Sequence, residues 1–364
     1  MMCMTYMFAL MGIQSSPAFS MWSYSNKTSK AFRWQQVVAS SLIIGIILFT
    51  FTIFQGMSGE LLVNKGIFES VNDKTLVPKL INLMSDTNPW LVGLLAVCAL
   101  AAMQSTGAAY MSTFSGMITR DIYRQYFKKE ASEDLQKLVG RIFVVLVALA
   151  ALLVAAKATQ AIVMLGGLAV AYGFQMYPAL MGNLYFSWFS RRGVTIGLIA
   201  GLIGVTLTDK ISAVFGLPWG AYPLTIHSAG WGIFFNLLCT IGFSYLYPDS
   251  EIEMEEKKKK HQFLKTMAGV PETKRQYIPL AIGLTLFWFL VGFGPFATIG
   301  NTIFSNPNNP ATWAPFGLPS LWVWQFVFLA FGIFVMWFLA FFMELSKPIA
   351  PEKVEAEYKR LFAS

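Results

Sequence analysis

The chain has 364 residues and a net charge of +8, with 55% hydrophobic and only 13% charged residues; its mean hydropathy is +0.55. Soluble domains give about 25% of their residues to charge, so a large soluble helical core is set aside in favour of an integral membrane protein. Cys3, Cys98 and Cys239 lie in apolar surroundings without metal-ligand spacing and read as small hydrophobes, with no disulfide expected. No basic leader precedes the first apolar residues, so no cleavable signal is expected.

Apolar runs of about 20 residues are long enough to cross a hydrocarbon layer. In chain order they predict about nine crossings, at 1–22, 35–57, 89–119, 139–157, 160–186, 193–208, 227–247, 277–299 and 320–344. Within the first, MGIQSSPAFSMW sets Gly12, Gln14, Ser15, Ser16 and Pro17 in the path of the helix. Broken helices are tolerated in a membrane where they line a cavity, and transporters use them for substrates and ions. The competing reading is a plain kink or an interfacial end.

The third crossing, AAMQSTGAAYMSTFSGMITRDIYRQYFKK, carries more hydroxyls than a lipid-facing helix needs. Ala102, Ser105 and Thr106 stand at i, i+3 and i+4, with Ser112 on approximately the same side two turns on. A carbonyl and two hydroxyls within one turn offer three hard oxygens to a weakly held monovalent cation, and no carboxylate is near enough to make a calcium or magnesium cage. Close helix packing is the alternative, since small and hydroxylated residues let membrane helices approach. At the end of this crossing, Asp121 is placed to pair with Arg124 or Arg120, and Tyr123 and Tyr126 sit at the interface. Asp121 and Tyr123 therefore read as an anchoring or gating pair.

A third polar interruption follows in AYGFQMYPALMGN, with Tyr172, Gln175, Tyr177 and Asn183. Gly193, Gly197 and Gly201 come next, four apart, as a helix-contact stripe. Asp209 and Lys210 read as interfacial. EIEMEEKKKKHQFLK reads as a solvated cytoplasmic connector, with no nucleic-acid role. Trp188, Trp219, Trp231, Trp313, Trp322 and Trp324 fall near predicted helix ends, as interfacial belts do.

Basic residues cluster after the odd-numbered crossings: Lys27, Lys30 and Arg33; Arg120 to Lys137; Arg191 and Arg192; the EEKKKKHQFLK tract; Lys347 and Lys353. The intervening loops are balanced or uncharged. The bias orients the odd-numbered ends toward the cytoplasm and the N-terminus outward. Enzyme signatures are poor. His227 and His261 are the only histidines, and no nucleophile, phosphate loop or acid/base pair emerges.

With these residues on the page, AAMQSTGAAYMSTFSGMITRDIY resembles the eighth core helix of the sodium:solute symporter family. SNKTSKAFRWQQ resembles the segment after that family's sixth core helix. YPALMGNLYFSWFSRRGVTIGLIAG is similar to its Tyr-Pro turn, basic pair and Gly-rich helix. The resemblance covers roughly 12–205 and is taken as one to the C-terminal portion of such a transporter only. It implies an all-α membrane fold of the leucine-transporter type, incomplete here: the second five-helix repeat at 1–186, following transmembrane helices at 187–247, a cytoplasmic connector at 248–276, a C-terminal helix pair at 277–346 and a cytoplasmic tail at 347–364. The first repeat, and with it the facing half of the ion site, is expected to lie outside the chain, which reads as a fragment of a longer transporter.

The resemblance also implies sodium (Na+) as coupling ion, held by Ala102, Ser105 and Thr106. It implies Gly12, Gln14, Ser15 and Ser16 as substrate-facing residues, though an arginine common after that break is replaced here by FSMW. The expected function is sodium-coupled symport of a small organic solute by a multi-pass protein in the lipid bilayer of the plasma membrane, or the inner membrane of a bacterium. A non-transporting membrane scaffold or sensor is the alternative. No enzyme activity and no nucleic-acid partner are expected.

Overall fold

The computed structural model describes residues 2–26, 30–70, 75–157, 162–215, 221–313, 317–347 and 349–362. Lys27, Asp73, Lys74, Trp219 and the side chains of Cys3 and Lys30 lie outside the described residues. The regular elements among the described residues are all helices, the main ones being α1 (Met2–Ser15), α2 (Pro17–Tyr24), α3 (Ala31–Asn64), α4 (Leu76–Asn82), α5 (Pro89–Phe127), α6 (Glu133–Lys157), α7 (Ile162–Phe174), α8 (Tyr177–Leu184), α9 (Arg191–Thr208), α10 (Ser228–Leu246), α11 (Glu251–Ala268), α12 (Glu272–Phe293), α13 (Ser320–Phe342) and α14 (Pro351–Phe362).

Seven of these, α3, α5, α6, α9, α10, α12 and α13, are long and apolar enough to cross a membrane. Their outward faces stay apolar, as Leu100, Leu146, Leu152 and Leu153 show. Lipid takes the place of water on such faces, and the backbone is satisfied within each helix. The chain is an all-α, multi-pass membrane protein. Among the described residues seven helices, rather than about nine, meet the criterion of length and apolarity, and the polar interruptions read in the first and fifth predicted crossings are present as breaks. The first is split into α1 and α2, and the fifth into α7 and α8. The cause is local chemistry: Pro17 has no N–H to continue α1, and Pro178 opens α8 just past a turn at Gln175.

The helices sort into two compact units. One contains 17–25 and 50–166, and therefore α2, the second half of α3, α4, α5 and α6. Its tightest contact runs between α5 and α6, where Gly140 lets Ser115 Oγ come within 2.9 Å and donate to the Gly140 carbonyl.

The other unit contains 1–16, 26–49 and 167–364. Its densest contact is α9 against α10. Gly193, Gly197 and Gly201 of α9 are buried, and each faces a polar residue of α10: Ser244, Thr240 and Asn236. The first part of α3 packs on α13 through Phe49 and Phe326, ring centroids 4.7 Å apart, and through Trp34 and Phe341 at 5.2 Å. α12 and α13 are pinned by indoles: Trp288 Nε1 donates to Phe328 O at 3.0 Å, and Trp324 Nε1 to Val291 O at 3.2 Å.

The charged tract read as a solvated connector is the capped helix α11. Ser250 Oγ accepts from Glu253 N, and the Glu253 carboxylate accepts from Ser250 N, a reciprocal cap that closes two orphan donors. α11 is also docked. Lys257 donates to Phe189 O at 2.7 Å and pairs with Asp249. Arg191 bonds Glu253, and His261 Nε2 lies 2.9 Å from Asn183 O.

Burial works to raise the Asp249 carboxyl, but the Lys257 hydrogen bond, the Arg191 N–H and both positive charges outweigh it, and its pKa falls below the ordinary 3.8. A depressed carboxylate contributes stability that is present above its unfolded pKa and lost as pH falls through its folded value. Spin labels on α11 and on the 185–188 loop are therefore expected to hold one distance at neutral pH. The distribution should broaden only below about pH 4, the range of an ordinary aspartate. D249N should give the broad distribution already at pH 7, and a sharp distribution there would remove Asp249 from this role.

Candidate functional site

Two interrupted helices meet within the second unit. α1 ends at Ser15, where Ser16 N bonds Ile13 O at 3.2 Å and Ser16 Oγ bonds the same carbonyl at 2.8 Å. α7 ends at Phe174, where Gln175 N reaches Tyr172 O at 3.0 Å and Met176 N reaches Gly173 O at 3.1 Å. Ser15 Oγ donates across to that same Gly173 carbonyl at 3.0 Å and lies 3.3 Å from Gly12 O. Contact is this close because both partners are glycine. A Cβ on Gly12 would sit 1.8 Å from Val170 O, and one on Gly173 would sit 2.8 Å from Gly12 O. Gly12, Ser15 and Ser16 are buried at the crossing, whereas Gln14 is exposed. Phe8 stacks on Phe174 at 5.6 Å beside an apolar cluster of Ala9, Ala171, Val205 and Ala229.

Beneath the α7–α8 interruption, Gln175 and Asn236 are each 1% exposed. Asn236 Nδ2 donates to Gln175 O at 2.8 Å and to Gln175 Oε1 at 3.3 Å, and Thr240 Oγ1 donates to Asn236 Oδ1 at 3.1 Å. Gln175 Nε2 caps Ala171 O at 3.1 Å. A helix break frees backbone groups that lipid cannot satisfy, and these amides satisfy them. Tyr172 OH closes the other side against Thr206 Oγ1 at 2.7 Å.

A second buried polar group sits at the opposite end of α9. Asp209, read as interfacial, is 5% exposed and accepts from Ser228 Oγ at 2.7 Å. Beside it, His227 N donates to Thr5 Oγ1 at 2.7 Å, and its ring stacks on Tyr222 at 5.2 Å. Burial lowers the His227 pKa, opposed by the Asp209 charge. Neither this cluster nor the Asn236 hub is anticipated by motif. The available signal is an amide in the middle of GIFFNLLCT, since polar residues inside apolar crossings are expensive to hold there.

In the other unit, Ala102, Ser105 and Thr106 lie on an unbroken stretch of α5 and are exposed. Ser105 Oγ donates to Ala102 O at 2.8 Å, and Thr106 Oγ1 lies 3.5 Å from that carbonyl. Three oxygens thus gather within one turn. Ser112 is exposed, while Thr113, Ser115 and Thr119 are buried. Asp121 forms no ion pair with Arg120 or Arg124 among the described residues, and Tyr123 stacks on Phe127 at 6.3 Å.

Long apolar helices, with two further helices interrupted by polar turns and buried amides at one interruption, define a multi-pass membrane protein. The Sodium:solute symporter family domain matches residues 2–204, more than half of the chain. The chain belongs to the sodium:solute symporter family, a class of transporters rather than enzymes. This finding corrects the reading of the resemblance as confined to a C-terminal portion: the match occupies the N-terminal portion of the chain, and residues 205–364 lie beyond it.

The chain is similar to the sodium/proline symporter of Salmonella typhimurium, 30% identical over 148 residues, covering 39% of this chain and 30% of the relative. It is 34% identical to the sodium/proline symporter of Escherichia coli over 119 residues, 32% of this chain and 24% of the relative. The osmoregulated proline transporter OpuE of Bacillus subtilis is 28% identical over 121 residues, 33% of this chain and 25% of that protein. The chain spans less than a third of the length of these curated relatives. No solved structure matches it.

Proposed function

We propose that this protein takes part in sodium-coupled symport of a small organic solute, within a bundle of the leucine-transporter type in which α1–α2 and α7–α8 are interrupted crossings. The observation that carries the proposal is the meeting of two helix breaks at Gly12, Ser15 and Gly173, in a chain of a sodium:solute symporter family. Interrupted helices expose backbone groups at membrane depth, where a solute or ion can take them up as partners. Gly12, Gln14, Ser15 and Ser16 then border the solute path. Two of the similar proteins are named sodium/proline symporters, so proline heads the panel of solutes to be tried.

Ala102 O, Ser105 Oγ and Thr106 Oγ1 serve as sodium ligands in this reading. Hydroxyls that donate to Ala102 O keep lone pairs free, so three oxygens already converge. Sodium binding favours the outward-open form that accepts solute, and linkage makes each ligand raise the affinity for the other. Asp121 and Tyr123 anchor the basic end of α5 at the interface.

The test is solute uptake against sodium concentration in cells expressing the full open reading frame. T106A is expected to weaken apparent sodium affinity on the order of tenfold, equivalent to about 1.4 kcal/mol, with protein levels unchanged. Unchanged sodium affinity and maximal uptake would remove Thr106 from the ion site.

A further inference from the structure

A groove of about 1270 Å³ runs between α5 and α6. Small-molecule pockets occupy roughly 300–1,000 Å³, so it is larger than a solute of the transported class requires. Its lining is graded along its length. Ala108, Met111, Val144 and Val145 make one end apolar, Arg120 and Arg124 line the other, and Arg141 follows Gly140 between them. Glu133 and Lys137 also line the basic end, but they engage each other at 3.7 Å, and Lys137 is within 3.5 Å of Asp134. The three guanidinium groups have no ion pair among the described residues.

Between the two ends lies Thr119, which is 5% exposed and whose Oγ1 has no hydrogen-bond partner among the described residues. Its neighbour Ser115 is already committed to Gly140 O. Thr119 sits where α5 widens: over Ile118–Phe127 the helix is of the π type, and Lys128 N bonds Tyr123 O, five residues back. Such widened turns recur at functional sites.

We propose that this groove binds one anionic phospholipid of the surrounding membrane. Its acyl chains run along Ala108, Met111, Val144 and Val145. Its phosphate lies among Arg120, Arg124 and Arg141, and a headgroup or ester oxygen accepts from Thr119 Oγ1. Charge complementarity selects this occupant. Planar guanidinium forks match phosphate oxygens, and a zwitterionic headgroup would bring its own cation against three arginines. The reading is independent of which solute is transported.

Thermal unfolding of the delipidated full chain in detergent tests it, with phosphatidylglycerol, phosphatidylcholine of the same acyl length, or inorganic phosphate added. Phosphatidylglycerol is expected to raise Tm on the order of 5 °C more than phosphatidylcholine. R124Q/R141Q should abolish that difference, and K258Q, which removes one exposed charge elsewhere, should keep it. If R124Q/R141Q does not fold, R124K/R141K keeps the charge but loses the fork, and should give less than half the wild-type difference. Equal shifts from the two lipids, or a full shift in the arginine variants, would overturn the site. A full shift from millimolar inorganic phosphate alone would overturn the lipid as its occupant.

Discussion

Gly197→Val is expected to separate α9 from α10 and to lower stability by roughly 3 kcal/mol, the upper end of what overpacking costs. Even the first carbon of a side chain at 197 would lie 2.0 Å from Thr240 Oγ1, 2.7 Å from Asn236 O and 2.8 Å from Asn236 Oδ1. The carbonyl belongs to the backbone of α10 and has no rotamer in which to withdraw, so the helix axes must move apart. Lipid supplies no hydrophobic force to draw them back, because packing and interhelical hydrogen bonds hold membrane helices together. Gly242→Val provides the control. That glycine is on α10 too, but a Cβ there meets nothing within 4 Å, and its Tm should stay near wild type. Thermal unfolding in detergent measures both. Equal values for the two variants would mean that the α9–α10 seam does not depend on this close approach.

Asn236→Leu is the second change with a large expected effect. It removes the bonds to Gln175 O, Gln175 Oε1 and Thr240 Oγ1, and puts a branched apolar group where a planar amide fits. Orphaning a buried polar group costs about 1–3 kcal/mol. Single interhelical bonds in membranes measure lower, on average about 0.6 kcal/mol, so about 2 kcal/mol is expected for the cluster. The informative measurement is a double-mutant cycle with Gln175→Leu. The double variant leaves fewer orphans than the two single variants taken together, so it should be less destabilised than the sum of the singles. Strict additivity would show that the two amides do not act as a unit.

The sequence made the interruptions legible and left their meeting invisible. Pro17 after Gln14, Ser15 and Ser16 announces a break by local chemistry, as do Gln175 and Pro178. The stripe Gly193, Gly197 and Gly201 announces a close neighbour, and the structure adds Gly204 to the same buried face of α9. The identity of the neighbour could not be read in advance. Ser15 and Gly173 are 158 positions apart, and nothing in either stretch names the other.

Ser112 illustrates a different limit. Helical periodicity put it near the side of Ala102, yet the buried hydroxyls of α5 are Thr113, Ser115 and Thr119. Ser115 is claimed by Gly140 on α6, a partner specified by long-range packing rather than by the local sequence. The burial of Asp209 was hidden from the sequence for the same reason. Its partner Ser228 lies across a loop, and only the returning helix takes the carboxylate out of water.

The Gly173 carbonyl accepts from both Ser15 Oγ and Met176 N. The first donor belongs to the interruption of α1, and the second closes the interruption between α7 and α8. One oxygen therefore lies in the hinge of each helix. If either hinge swings, it shifts the acceptor on which the other is seated. While both bonds hold, displacing either interruption strains the bond on which the other is seated.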